Sequence, residues 1–84
     1  MNYTAKYTIN ATATKISVDT IHDQNILVHA KQSIYIGTDS SVSSTTGFLM
    51  DNGDKIEFSI DGQMELWAIS ATTSSDVYVF RKIT

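Results

Sequence analysis

The sequence predicts a small all-β domain, an antiparallel β-sandwich or partly open barrel of about 7–8 short strands with no significant helix. Ten serines and eleven threonines make up 21 of the 84 residues, whereas helix-forming residues are scattered. Apolar and polar residues alternate with a period of two in several segments, and turn-forming residues recur at about ten-residue spacing. Together these patterns are typical of short antiparallel strands joined by tight connections.

Length, charge and cysteine content narrow the class of protein. The 84 residues are enough for one domain, and the absence of cysteine excludes disulfides. A net charge of −3, with only six lysines and arginines, argues against nucleic acid as a partner. No apolar run approaches the roughly 18–20 residues that span a bilayer, and the first residues lack the apolar block of a secretory signal. We therefore expect a single domain over residues 1–84, made in a cytoplasm and without a membrane partner.

The N-terminal segment is predicted to be extended, because residues 3–13 alternate strictly in polarity. Its more apolar side carries Tyr3, Ala5, Tyr7, Ile9, Ala11 and Ala13. Either an edge strand of the domain or an arm over residues 1–13, pairing with a neighbouring subunit's sheet, explains the pattern. The alternation changes parity at Thr14–Lys15, which predicts a bulge, a bend or a change of sheet there.

The middle of the chain predicts two strands, a surface loop and a tight turn. Residues 26–30 alternate, and a second strand over residues 34–36 ends at a glycine. The segment Thr38 to Thr46 reads TDSSVSSTT, which indicates a surface loop with Val42 as its apolar residue. Asn52-Gly53 is a strong signal for a tight turn.

The last three predicted strands hold most of the large apolar side chains. Residues 55–60 alternate as a strand with one dry face does, whereas residues 66–69 and 77–80 are apolar on both parities, as strands covered on two faces are. The turn at Asp61-Gly62 suggests that the first two of these strands form a hairpin. A three-residue loop would place Ile60 opposite Met64, Phe58 opposite Leu66 and Ile56 opposite Ala68.

No group of residues forms a recognisable catalytic set, so we expect no enzyme activity, no cofactor and no metal. His22, Asp23 and His29 lie near one another in sequence but lack a third imidazole or thiolate for zinc. Residues 51–54 offer oxygen ligands for calcium, although a turn explains them without an ion. Trp67 would serve as a glycan platform if exposed, but core packing is the default in so apolar a segment.

Short motifs follow one another in a definite order from about residue 34 to residue 82. They are Ile34-Tyr35-Ile36-Gly37, a Ser/Thr loop with Val42, Gly47-Phe48-Leu49-Met50, Lys55-Ile56-Glu57-Phe58, Leu66-Trp67-Ala68-Ile69-Ser70 and Asp76-Val77-Tyr78-Val79. In this order they resemble a class of very small all-β proteins encoded among the virion structural genes of tailed bacteriophages. Trp67 and Ser70 stand where that class usually has Tyr and Ala.

The resemblance implies a setting and a role. Such proteins decorate or cement capsids, or lie at head and tail junctions. The leading expectation is a capsid decoration protein that binds the major capsid protein on the outer surface of the virion; self-association stays open. A tail, fibre or head–tail connector component is the alternative in the same setting, and a small carbohydrate-binding module using Tyr35 or Trp67 is the alternative from another class. The expected inter-subunit contacts are Tyr3, Ala5, Tyr7, Ile9 and Val42.

Overall fold

The computed structural model describes residues 2–18, 22–61 and 64–83, and within these ranges the chain forms eight strands and no helix. The strands are β1 (Asn2–Ile9), β2 (Thr14–Lys15), β3 (Gln24–Ala30), β4 (Ile34–Gly37), β5 (Phe48–Met50), β6 (Lys55–Ile60), β7 (Trp67–Ser70) and β8 (Ser75–Ile83). The predicted all-β class is confirmed.

Two four-stranded antiparallel sheets pack face to face. The first sheet has the order β1-β8-β3-β6 and the second has the order β2-β7-β4-β5. Only β4 and β5 are neighbours both in sequence and within one sheet, so the other connections between consecutive strands cross from one sheet to the other. Eight strands in this arrangement form a jelly roll, a two-sheet β-sandwich.

Turn residues lie where the chain changes sheet. Between β1 and β2 the Asn10 side chain accepts a hydrogen bond from the Thr12 N–H at 2.8 Å, just before the predicted parity change. Between β5 and β6, Gly53 has a φ of 81° and donates its N–H to the Ala30 carbonyl at 2.7 Å. A positive φ costs glycine little, because glycine has no Cβ. Of the three alternatives predicted near Thr14–Lys15, the structure has a change of sheet, and the predicted Asn52-Gly53 turn is confirmed.

The predicted hairpin of β6 with β7 is wrong. β6 pairs with β3 in the first sheet, with Phe58 opposite Ile26, whereas β7 pairs with β2 and β4 in the second sheet. Phe58 and Leu66 do share the apolar core, but they reach it from opposite sheets. Matching apolar parity therefore identified residues that share an interior, and it did not distinguish neighbours in one sheet from residues in facing sheets.

The core is one apolar layer between the sheets, and seven of the eight strands contribute to it. Its buried members are Ile9, Ile16, Ile26, Val28, Ala30, Ile34, Ile36, Met50, Ile60, Leu66, Ala68, Val77 and Val79. Most come from the inward parity of alternating strands, as β3 illustrates with every second side chain buried. Burial of this layer supplies the main favourable term in the stability of the domain.

Arg81 is a charged residue inside the interior, with only 1% of its surface exposed. Its Nη2 donates to the Tyr7 hydroxyl and, at 2.7 Å, to the carbonyl oxygen of Ile16. Tyr7 belongs to β1 and Ile16 follows β2, so one guanidinium connects the first sheet to the segment that leaves the second. A buried charge is costly unless it is hydrogen-bonded. These contacts therefore hold β8, β1 and the segment after β2 in fixed relative positions.

Buried polar side chains also replace backbone pairing where strands end. The Gln24 amide donates to the Val18 carbonyl at 2.8 Å and accepts from the Val18 N–H at 3.4 Å, as a neighbouring strand would. The Ser70 and Ser75 hydroxyls bond each other at 2.7 Å, and Ser75 donates to the Ser33 carbonyl at 3.0 Å. These bonds join β7, β8 and the connection before β4 at one end of the sandwich.

Replacing Arg81 by methionine tests the structural role of the guanidinium. Arg81→Met keeps a long side chain in place but leaves the Tyr7 hydroxyl and the Ile16 carbonyl without this donor, so the free energy of unfolding should fall by about 2–4 kcal/mol. Urea denaturation followed by circular dichroism measures the change.

Lys82→Met is the matched control, because Lys82 is the exposed neighbour on the same strand. It should change the free energy of unfolding by less than about 0.5 kcal/mol. Equal effects of the two substitutions would contradict the role assigned to Arg81.

Candidate functional site

The outer face of the first sheet exposes large apolar side chains. Leu27 on β3 is 41% exposed, and on β8 Tyr78 is 38% and Phe80 is 49% exposed. All three have the outward parity of their strands, while Val77 and Val79 of β8 point into the core. The prediction that β8 is covered on both faces is therefore wrong.

The strand register brings these side chains together. Phe80 lies opposite Leu27 on β3 and opposite Thr4 on β1, and Tyr78 lies opposite His29 on the same side of the sheet. Directly opposed residues on adjacent antiparallel strands are in side-chain contact range, since the strands are only about 4.8 Å apart. The result is a contiguous apolar patch, which we call the β8 face and define as Leu27, Tyr78 and Phe80.

A groove of about 530 Å³ runs over the β8 face. It is lined by Thr4, Ala5, Lys6, Leu27, His29, Lys55, Tyr78, Val79 and Phe80. The His29 and Tyr78 rings lie 6.0 Å apart between centroids with planes inclined at 38°, and Lys6 Nζ is 5.8 Å from the centroid of Tyr78. The aromatic floor thus has a cation held over it, a favourable arrangement of an ammonium and a ring.

Charge on the outer face of the first sheet is unevenly placed. Within the four strands this face carries Lys6, Lys55 and Lys82 together with Glu57 and Asp76. Both charged side chains that line the groove are lysines, one from each edge strand of the sheet, and neither carboxylate lines it. Two lysines thus flank the groove, whereas Glu57 lies one row away, opposite Leu27, and Asp76 lies two residues before Tyr78.

The outer face of the second sheet is partly covered, because the chain's own loop packs against Gly37 at the end of β4, while Leu49 on β5 stays 47% exposed. Val42, in the loop between β4 and β5, is only 6% exposed. A Cβ built on Gly37, an outward position of β4, would lie 2.5 Å from Val42 Cβ and 2.6 Å from Val42 Cγ2. Glycine at position 37 thus lets the loop approach the sheet closely. No comparable covering segment lies on the β8 face among the described residues, where the groove is open instead.

The same loop is held by its own side chains. Asp39 Oδ1 accepts hydrogen bonds from the Ser41 hydroxyl and, at 2.9 Å, from the Ser41 N–H. The pKa of the Asp39 carboxyl lies below its ordinary value of 3.8. The main cause is the hydrogen bond from the Ser41 hydroxyl, and the second is the hydrogen bond from the Ser41 N–H. Ser43 and Thr46 add a further hydroxyl contact at 3.2 Å. The predicted surface loop is confirmed, and hydrogen bonds between its own residues hold it in a series of turns.

The residues predicted as inter-subunit contacts lie mainly inside this chain's own fold. Tyr3 pairs with Arg81 in the β1–β8 ladder. Ala5 and Tyr7 are half-buried and face inward, and Ile9 and Val42 are buried. β1 is an edge strand of the first sheet, paired with β8 over Asn2–Ile9. Of the β1 side chains, Ile9 lies in the core and Tyr7 packs against it, whereas Thr4, Lys6 and Thr8 are exposed.

The remaining sequence candidates are distributed over the surface. His22 and Asp23 are exposed ahead of β3, and His29 belongs to the groove. Among the described residues no three His, Cys, Asp or Glu side chains come close enough together to hold a metal ion. Trp67 is half-buried on the second sheet and donates its Nε1–H to Glu65 at 2.8 Å. The described ranges also contain no helix long and apolar enough to span a membrane.

A signal for the β8 face was present in the sequence. A two-sheet sandwich has one interior, so a strand that is apolar on both parities must present one apolar side outward. Residues 77–80 have this property, and the outward half of that segment supplies Tyr78 and Phe80. The contributions of Leu27 and Lys6 depended on the strand order, which the sequence pattern did not reveal.

Comparison with known proteins supports the fold. No protein-family model matches the sequence, and no curated protein matches it either. The chain is similar to a de novo designed double-stranded β-helix whose structure was determined by solution NMR, with a TM-score of 0.67. The match covers 95% of this chain and 99% of that one at 12% sequence identity, so it concerns the fold alone.

Substitution at Gly37 tests the close approach of the loop. Gly37→Ala should lower the free energy of unfolding by about 1–3 kcal/mol, because the added methyl group overlaps Val42. Val42→Gly removes the overlapping atoms, so the double variant Gly37→Ala, Val42→Gly should lose less stability than the two single effects added together. Urea denaturation of all four proteins gives the coupling, and strict additivity would refute the packing described here.

The acid titration of Asp39 tests the loop's hydrogen bonds. Because its pKa is lowered in the folded state, the contribution of Asp39 to stability is present above pH 3.8 and is lost as the pH falls through the lower folded-state value. The Ser41 amide resonance, followed by NMR, should therefore titrate with a midpoint below 3.8. Asp39→Asn should abolish that titration, and a midpoint at or above 3.8 in the unsubstituted protein would contradict the assignment.

Proposed function

We propose that this chain is a non-enzymatic virion structural protein, a capsid decoration protein that docks on the outer surface of a tailed-phage capsid and stabilises it. The observation that carries the proposal is the β8 face, a contiguous apolar patch that Leu27, Tyr78 and Phe80 leave open on the first sheet. Contiguous exposed apolar surface on a small domain is typical of a protein–protein contact.

The setting of the proposal comes from the ordered motifs between residues 34 and 82, which resemble small phage virion proteins. Several of these motifs supply buried positions, among them Ile34, Met50 and Ala68, and they account for the fold more than for a contact. The last motif contributes to both, because Val77 and Val79 lie in the core and Tyr78 belongs to the β8 face.

Decoration would act by mass action. A protein that binds the assembled capsid and not its dissociated subunits stabilises the assembly in proportion to the logarithm of its concentration relative to its dissociation constant. Phe80 is the best candidate for an anchor, because it is the most exposed of the three apolar side chains of the β8 face and lies at its centre, between Thr4 and Leu27. Aromatic anchors of this kind carry much of the binding energy at interfaces.

Co-sedimentation with mature capsids prepared without this protein tests the proposal. The unsubstituted protein should bind saturably, at a copy number that matches symmetry-related capsid sites. Phe80→Ser should weaken binding by about tenfold or more, because it removes a central apolar anchor.

Phe48→Ser is the matched control, since Phe48 is 56% exposed on an edge strand of the second sheet. It should leave capsid binding unchanged. Only a few bound copies per particle would favour the tail, fibre or connector role instead. If neither the capsid fraction nor the tail fraction retains the protein, the virion proposal is overturned. If the protein then binds members of a glycan panel, the carbohydrate-binding alternative is established.

A further inference from the structure

We infer that the groove over the β8 face takes an extended acidic segment of a partner protein, in which two carboxylates flank an apolar side chain. The inference deepens the proposed function, on which it rests, because it gives the chemistry of the partner at the same docking face. Three properties of the groove carry it: an apolar floor, a lysine at each side, and the distance between those lysines.

The floor of the groove fits an apolar or aromatic side chain. Leu27, Tyr78 and Phe80 are each between 38% and 49% exposed, so each retains apolar surface to bury. The volume of about 530 Å³ falls in the range typical of sites for small molecules and peptide side chains. An aromatic side chain entering this space would meet the Tyr78 and Phe80 rings, a favourable contact.

The two sides of the groove attract carboxylates. Lys6 and Lys55 line the groove and belong to β1 and β6, the two edge strands of the first sheet. Tyr78 and His29 lie between them in one row across the four strands. Both lysines are exposed, and an acidic partner would pair with them at the rim, where charge fixes the choice of partner more than the affinity.

The spacing of the lysines favours an extended segment. Three strand intervals of about 4.8 Å separate the backbones of Lys6 and Lys55, a distance of roughly 14 Å. In an extended chain, residues i and i+4 point to the same side and lie about 13–14 Å apart, with residue i+2 between them. Carboxylates at i and i+4 can therefore reach the two lysines while the side chain at i+2 enters the apolar floor.

A second copy of this chain fits the groove less well. Each of two copies packed face to face would bring three lysines and two carboxylates to the contact, a small excess of like charge that is unfavourable. A basic partner would meet the same repulsion. A segment with two carboxylates and one apolar side chain complements both the lysines and the apolar floor of the groove.

Peptide titration followed by NMR tests the inference without capsids. The probe is a capped peptide with the sequence Glu-Ser-Phe-Ser-Glu, compared with Lys-Ser-Phe-Ser-Lys and Glu-Ser-Ser-Ser-Glu of the same length. The first should shift the amide resonances of Lys6, Tyr78 and Phe80 saturably, and the other two should bind at least several-fold more weakly. Binding should weaken further near 1 M salt, where the screening length is only about 3 Å.

The double variant Lys6→Glu, Lys55→Glu should reduce peptide affinity by about tenfold, since it replaces two attractive rim contacts by repulsive ones. Lys31→Glu is the matched control, because Lys31 is exposed and does not line the groove. Equal binding of the acidic and basic peptides, or an unchanged affinity of the double variant, would overturn the inference. Concentration-dependent shifts of the same amides without peptide would also overturn it, by identifying a second copy as the occupant.

Capsid binding of the same variants separates this inference from the proposed function. If Phe80→Ser abolishes capsid docking while the double lysine variant retains it, docking on the β8 face stands and the acidic partner is refuted. If the acidic peptide binds as expected but capsids do not, the partner chemistry stands and the decoration role is refuted.

Discussion

Two sheets enclose a single interior, and each strand can bury only one of its two faces in it. The consequences are clearest on β8, the nine-residue strand between β1 and β3 in the first sheet. Its inward side chains Val77, Val79 and Arg81 are buried, whereas its outward side chains Tyr78 and Phe80 face solvent. One strand thus contributes to the core and to the β8 face, and the apolar character of its outer side has no use within the chain's own interior.

Arg81 shows that the interior is specific as well as apolar. An apolar residue at this position would avoid the cost of burying a charge, and such replacements in other proteins are often neutral or stabilising when they remove every partner at once. Here the guanidinium serves the Tyr7 hydroxyl and the backbone of Ile16, which come from different parts of the fold. It therefore acts as a positional constraint between β1, β8 and the segment after β2. The Gln24 amide has the same effect on the Val18 backbone.

The sequence was sufficient for the all-β class, an interruption of the strand pattern at Thr14–Lys15, the Asn52-Gly53 turn and the loop around Val42, because each depends on residues close together in the chain. Strand order was not accessible in this way. Most consecutive strands of a jelly roll belong to different sheets, so the parity of Phe58 and Leu66 suggested a hairpin where the structure has two facing sheets. The β8 face could likewise be predicted only in part. The exposed half of β8 was implicit in its composition, but its neighbours Leu27 and Lys6 are brought to it only by long-range pairing.

The central position of β8 also affects how the protein is made. It is the last strand in chain order, yet β1 and β3 both pair with it. During translation the first seven strands leave the ribosome before the strand that joins β1 to the rest of its sheet. Folding of the first sheet is thus delayed until synthesis of this stretch is nearly finished, and the apolar side of β1 stays exposed in the nascent chain. Long-range β pairing of this kind is slow to form and leaves apolar strand faces exposed in the meantime, so the protein should fold more slowly than a domain of the same size with local contacts.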